Sequence, residues 1–234
     1  MNFLVKVLTV LVVLTIAKCS YTQYTKFTEQ EMNTYRKDNL PDYDAAQDFE
    51  TPRRGSPLVS LNGEHGAFCS GTVISDDYVL TAAHCLMDHE SFFPGLRKEE
   101  IIIIDSLGAT KSIGYAVGLN QRSDVALIQG DFKEFNRAKI LLKAGLLVTL
   151  SGPYVTCGFP RGEGSSCFQT GNFVLYGDFL AAHGYMFFGM SGGPVVDMPT
   201  GTVFAVNSAV GEGIIVAPVI GIFSMLGIKV INNN

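Results

Sequence analysis

From Pro57 onward the apolar residues come in short runs punctuated by Gly, Pro, Asn and Asp, beginning with Leu58-Val59-Ser60-Leu61, Gly71-Thr72-Val73-Ile74, Tyr78-Val79-Leu80 and Ile101-Ile102-Ile103-Ile104. The pattern recurs at Ala126-Leu127-Ile128, Leu146 to Leu150, Tyr154 to Cys157, Asn172 to Tyr176, Val195-Val196, Val203 to Val206 and Ile214 to Val216. Runs this short, bounded by turn residues, read as strands, so the chain is expected to be all-β. One exception is expected near the end, where Pro218 followed by Val219 to Leu226 fits a short helix with proline in its first turn. A chain of 234 residues that is 47% apolar and 17% charged can bury a full core and is not disordered throughout.

The region ahead of Pro57 differs. Lys6 precedes an apolar run from Val7 to Ala17, and small residues Ala17 and Cys19 stand where a signal peptidase inspects the chain, so residues 1–19 read as a signal peptide. The run is short for a membrane span. Ile16-Ala17-Lys18-Cys19 also has the outline of a bacterial lipoprotein box that would anchor the protein through Cys19, but Lys18 stands where Gly, Ala or Ser is usual. Residues 20–54 read as an acidic leader, with seven acids in 20–50 against Lys26, Arg36 and Lys37 and a break at Asn39-Leu40-Pro41-Asp42. If this leader is a propeptide, Arg53-Arg54 is the expected cut. Residues 55–234 form the folded part, in two subdomains of roughly 55–140 and 141–234. The apolar stretch from Gly213 is interrupted by Pro218 and stops at Lys229, so stable membrane insertion is not expected. The net charge of −5 comes with no basic patch, which argues against a nucleic-acid partner.

Three segments carry chemistry: Thr81-Ala82-Ala83-His84-Cys85, Ser123-Asp124-Val125-Ala126-Leu127-Ile128 and Gly189-Met190-Ser191-Gly192-Gly193-Pro194. Each has a plain structural reading, as a core histidine after Val79-Leu80, a strand entered from a loop, and a glycine turn. Together they supply a hydroxyl nucleophile, an imidazole to take its proton, and a carboxylate to fix the imidazole's tautomer and steady its cation. Forty residues separate His84 from Asp124 and 67 separate Asp124 from Ser191.

In that order the segments resemble the trypsin/chymotrypsin-like serine proteases, over a stretch from about Pro57 to the C-terminus. The resemblance implies two six-stranded antiparallel β-barrels with the active site in the cleft between them. It places His84 and Asp124 on the first barrel and Ser191 on the second. It makes Ser191 the nucleophile, His84 the general base and then acid, Asp124 the orienter, and the N–H groups of Gly189 and Ser191 the oxyanion donors. It also implies a Cys69–Cys85 disulfide, leaving Cys157 and Cys167 as the second pair. A zinc site is the competing use of these cysteines, but they lack close Cys-x-x-Cys spacing, and no metal is expected. The expected partner is a protein or peptide substrate, the expected state a monomer, and the expected location secreted or periplasmic, where disulfides persist.

Departures from the family pattern refine this. Met190 stands where pancreatic-type relatives place an aspartate that pairs with a new N-terminus, and no Ile-Val-Gly-Gly occurs. The chain is therefore more similar to the bacterial glutamyl endopeptidase and periplasmic heat-shock protease branches. The resemblance puts the substrate pocket at Tyr185, where trypsin-like relatives place Asp, and on the strand Val206 to Val210 with Ser208 and Val210. Without a fixed charge this pocket suits a small or medium apolar P1 residue, and Asn207 departs from the histidine of glutamyl-specific relatives. His65, His89 and His183 read as loop residues, and no phosphate loop, dinucleotide fingerprint or metal box implies a cofactor. A catalytically silent binding protein or an esterase are the other readings. The three intact residues count against the first, and the His, Asp, Ser order differs from that of α/β-hydrolases.

Overall fold

The computed structural model describes residues 49, 51–88, 95–140, 154–198, 201–210 and 213–218. Its first part contains β1 (Leu58–Gly63), β2 (Gly66–Val73), β3 (Tyr78–Thr81), β4 (Met87–Asp88), β5 (Gly95–Leu96), β6 (Ile101–Asp105), β7 (Lys111–Asn120) and β8 (Val125–Gly130). The second contains β9 (Lys139–Ile140), β10 (Tyr154–Gly158), β11 (Ser166–Thr170), β12 (Val174–Tyr176), β13 (Phe179–Ala182), β14 (Pro194–Asp197), β15 (Thr202–Val210) and β16 (Ile214–Pro218).

The all-β, two-part expectation holds, as one closed barrel and one half-barrel. In the first barrel the strands close in the order β1-β2-β3-β8-β7-β6. Closure is visible in β1, which pairs antiparallel with β2 on one side and β6 on the other, with Leu61 opposite both Cys69 and Ile103. Alternate residues fill the interior: Val59, Leu61, Val73, Val79, Ile101, Ile103, Ala126 and Ile128 are buried together, with Phe132 closing one end. The second sheet follows an open path among the described residues, β11-β10-β14-β15-β16-β13-β12, with β9 parallel to β15. Its core is aromatic, Tyr154 lying 5.3 Å from Phe173 and 4.9 Å from Phe204, ring centre to ring centre.

A third buried cluster contains residues of both sheets, among them Leu58, Leu80, Val125 and Leu127 from the first and Val155, Val196, Val203 and Val206 from the second. Phe49 belongs to it and is buried. The chain thus enters the core ahead of residue 55. Between Phe49 and β1 the backbone is tied to the turn after β6: the Arg53 N–H donates to Ser106 Oγ at 3.1 Å, and the Gly55 N–H donates to Asp105 Oδ2 at 2.7 Å.

The short runs read as strands fall on strands wherever they are described, with Ile74, Asn172 and Phe173 just beyond the strand ends, and Leu146 to Leu150 lies outside the described residues. So do Val219 to Leu226 of the expected closing helix; Pro218 is the last residue of β16. Three sizeable strands had no signal in the sequence reading. β7 is one: Ile113, Tyr115 and Val117 all face outward and two glycines interrupt it, so its apolar pattern is not that of a half-buried strand.

Candidate active site

Antiparallel pairing of β3 with β8 sets His84 and Asp124 side by side, because Thr81 at the end of β3 lies opposite Ala126 near the start of β8. Two residues beyond Thr81, the chain begins a single 3-10 turn, Ala83–Leu86, whose Ala83, Cys85 and Leu86 are buried and leave His84 as the projecting side chain. Asp124 immediately precedes β8 with φ of 48°, a left-handed backbone that Asp tolerates better than most residues. The result is a two-point grip. The His84 N–H donates to Asp124 Oδ1 at 2.9 Å, and His84 Nδ1 lies 2.9 Å from Oδ2 and 3.1 Å from Oδ1. With Nδ1 committed to the carboxylate, any proton exchange by this imidazole would fall to Nε2.

Asp124 is the more enclosed partner, its side chain 13% exposed against 40% for His84. Burial pushes the Asp124 carboxyl pKa upward, but hydrogen bonds from His84 and Ser208 and the attraction of the imidazole outweigh it, and the net shift is downward. The Ser208 hydroxyl donates to Asp124 Oδ2. Ser208, read from sequence as a pocket residue, therefore also reaches across from the second sheet to the carboxylate.

Ser191 lies in a turn before β14 that is defined by its main chain. The Ser191 carbonyl accepts from the Ser70 N–H at 2.8 Å and lies 3.7 Å from Cys85 Sγ, so the turn sits against the segment carrying His84. Glycine is required at two points. At Gly189, φ is +91° and a Cβ would fall 2.3 Å from the Phe159 carbonyl oxygen. At Gly192, φ is +79° and a Cβ would fall 2.0 Å from Thr81 Oγ1. Met190 is fully buried in the core of the second sheet, so an apolar side chain fills the place where pancreatic-type relatives use an ion pair.

Of the residues expected to line a substrate pocket, Tyr185 is nearly buried, with its ring 6.2 Å from Phe168, which in turn lies 5.5 Å from Phe187. Val210, at the end of β15, is exposed. Asn207 turns into the protein: its Nδ2 donates to the carbonyls of Cys157 at 2.9 Å and Met190 at 3.2 Å, and its Oδ1 accepts from Thr156 Oγ1 at 2.5 Å. Its main chain also holds the nucleophile turn, accepting from the Gly192 N–H at 2.7 Å and donating to the Gly193 carbonyl at 2.8 Å. Asn207 is thus a structural neighbour of the turn that carries Ser191, a role its position alone did not reveal.

Both disulfides form, Cys69 with Cys85 and Cys157 with Cys167. Cys157 and Cys167 face each other in the β10–β11 ladder. Cys69, Cys85 and His84 place their donor atoms within 4.8 Å of one another, but both sulfurs are engaged in the disulfide and are not thiolate ligands.

Comparison with known proteins agrees with this geometry. A family model described as a trypsin-like peptidase domain matches residues 69–206. Similar solved structures include a serine endoprotease from Yersinia pestis, 21% identical over 84% of this chain and 69% of that one, with a TM-score of 0.62. An HtrA-type protease, AlgW, solved with a tripeptide, is 20% identical over 81% of this chain and 64% of its own, also at 0.62. The active form of the Rv3671c protease from M. tuberculosis is 17% identical over 80% of this chain and 84% of its own, at 0.59. These three likenesses establish the fold, and the match over residues 69–206, with the closed barrel and both disulfides, shows that the chain belongs to the trypsin-like peptidase domain family.

Proposed function

We propose that the protein is an exported serine endopeptidase that hydrolyses peptide bonds through His84, Asp124 and Ser191. The observation that carries this is the two-point hold of Asp124 on His84, which fixes the imidazole beside a turn presenting a serine. In the proposed reaction Ser191 Oγ attacks the substrate carbonyl as His84 Nε2 takes its proton. The N–H groups of Gly189 and Ser191 bind the oxyanion, and His84 returns the proton to the leaving amine. Water then attacks the acyl-enzyme with the same histidine as base.

The P1 residue is proposed to be small or medium and apolar, since the wall containing Tyr185, Phe168 and Phe187 supplies aromatic surface and no carboxylate. Export is proposed from the signal-like residues 1–19, with Cys19 lipidation as a lesser alternative, and is supported by two disulfides. Among the described residues no helix is long and apolar enough to cross a membrane. The catalytic unit is proposed to act as a monomer and to include Phe49–Gly55, because Phe49 is part of its core; the leader would then end ahead of Phe49.

Labelling with a fluorophosphonate probe, followed by cleavage-site profiling on a peptide library, tests the reading. Ser191 should be the labelled residue and apolar P1 residues should dominate. Absence of labelling would point to a silent binding protein, turnover of esters without peptides to an esterase, and dominant cleavage after Arg or Lys would overturn the pocket assignment.

A further inference from the structure

We infer that Ser70 is a positioning residue for the oxyanion turn, its hydroxyl bridging Phe159 to Gly189 so that the Gly189 N–H is held in place for the reaction. The inference rests on the proposed peptidase reading for its kinetic consequence and on geometry alone for its structural one.

Ser70 is fully buried in β2 of the first barrel, one residue past the disulfide cysteine Cys69 and 119 residues from Gly189. Its side chain and both main-chain groups are engaged. Oγ donates to the Gly189 carbonyl at 2.7 Å and accepts from the Phe159 N–H at 2.9 Å. The Ser70 N–H donates to the Ser191 carbonyl at 2.8 Å, and the Ser70 carbonyl accepts from Thr81 Oγ1 at 2.8 Å. A bridge between a carbonyl and an N–H needs an atom that donates and accepts at once, which a hydroxyl does and a methyl cannot. The surroundings leave little freedom: a Cβ on Gly158 would lie 2.9 Å from Ser70 Oγ and 2.7 Å from Met190 Cα.

These bonds orient two successive peptide planes. The Phe188 carbonyl accepts from the Arg161 N–H at 2.6 Å, and the N–H of the same trans peptide, on Gly189, points to the opposite side. The next carbonyl, that of Gly189, is held by Ser70, and the Met190 N–H on that plane turns to the Phe187 carbonyl at 3.0 Å. Gly189, with φ of +91°, is the pivot between the planes. Rotation about that pivot would carry the Gly189 N–H away from the oxyanion, and the Ser70 hydroxyl ties the pivot to the first barrel, which also carries His84. Phe159 closes the circuit, because its carbonyl is the atom a Cβ at Gly189 would strike and its N–H is the one Ser70 accepts.

The test compares Ser70→Ala and Ser70→Thr with the unmodified full-length protein. Hydrogen–deuterium exchange of the peptide spanning residues 187–192 should speed at least about tenfold in Ser70→Ala, and less in Ser70→Thr, which keeps a hydroxyl. Per folded molecule, kcat of Ser70→Ala should fall about 10- to 100-fold with KM nearly unchanged, since oxyanion contacts strengthen in the transition state. Affinity for a peptide boronate, which forms a tetrahedral adduct, should fall in parallel, while affinity for a product peptide should not. Urea unfolding supplies the folded fraction. Unchanged exchange in folded Ser70→Ala overturns the inference whether or not the protein proves to be a peptidase. Wild-type kcat per folded molecule, or a loss expressed only in KM, does so as well. A wild-type protein that neither labels nor cleaves sinks the peptidase reading by itself and leaves the exchange result to decide on Ser70.

Discussion

The two halves of the candidate site are held by different kinds of contact. His84 and Asp124 are fixed largely through side chains: a carboxylate gripping an imidazole, a serine hydroxyl reaching over from β15, and a disulfide beside the histidine. Ser191 is fixed largely through main chain, by hydrogen bonds from Ser70 and between Gly192, Gly193 and Asn207, in a turn where Gly189 and Gly192 adopt positive φ against tightly packed neighbours. The difference teaches which changes each half tolerates. Around His84 a substitution chiefly removes side-chain contacts, with the Asp124 hold on the His84 N–H the one backbone bond at stake; at Gly189 and Gly192 even one added methyl must displace the backbone.

The largest expected effect lies in the chemistry that the two halves share. Ser191→Ala and His84→Ala should each lower kcat about 10⁶-fold because the triad acts as a unit, and Asp124→Ala about 10⁴-fold. All three should keep wild-type far-UV circular dichroism and cooperative unfolding. Near-normal turnover by Ser191→Ala would dismiss it as nucleophile and make the comparison meaningless.

Next comes Gly192→Ala, which separates the halves directly. The added Cβ would sit 2.0 Å from Thr81 Oγ1 and 2.5 Å from the Ser70 carbonyl at a φ of +79°. Left-handed strain of about 1–2 kcal/mol and overpacking of about 1–3 kcal/mol should together cost roughly 3 kcal/mol in urea unfolding. A cost below about 1 kcal/mol would mean that the turn is softer than its packing indicates.

The smallest effect is in acid, and it extends the comparison to the chain entry. Asp105, the buried last residue of β6, accepts from the N–H groups of Gly55, Ala109 and Thr110 at 2.7, 2.8 and 3.0 Å. Burial pushes its pKa upward, but these bonds and the Thr110 hydroxyl bring it below the ordinary carboxylate value, as His84 and Ser208 do for Asp124. A carboxyl whose folded pKa is depressed stabilises the fold above its unfolded pKa of about 3.9 and loses that contribution as pH falls through the folded value. Stability should therefore hold from pH 7 to about 5 and decline below about 4. Asp105→Asn should flatten part of that decline in urea unfolding curves taken at several pH values, and an unaltered slope would remove Asp105 from the account.

The parts legible in the sequence were those fixed by residue type. Glycine, histidine, aspartate and serine at 189, 84, 124 and 191 have chemical reasons to be what they are, and short apolar runs have few folds open to them. Less legible were residues whose importance comes from what lies opposite. Ser70 sits within the recognisable stretch Phe68 to Thr72, yet only the folded chain brings its hydroxyl to Gly189. Asn207 differs from a histidine found in relatives, but its hydrogen bonds run inward to Cys157 and Met190. β7 was hidden because its outward face is as apolar as a buried one.

Phe49 carries a practical lesson about where this protein can be cut. Arg53-Arg54 looks like a maturation site in the linear chain, but a cleavage there would detach the phenylalanine that fills part of the boundary between the two sheets and break the chain beside the Arg53 contact to Ser106. A recombinant version begun at Gly55 would start life with a hole in its core.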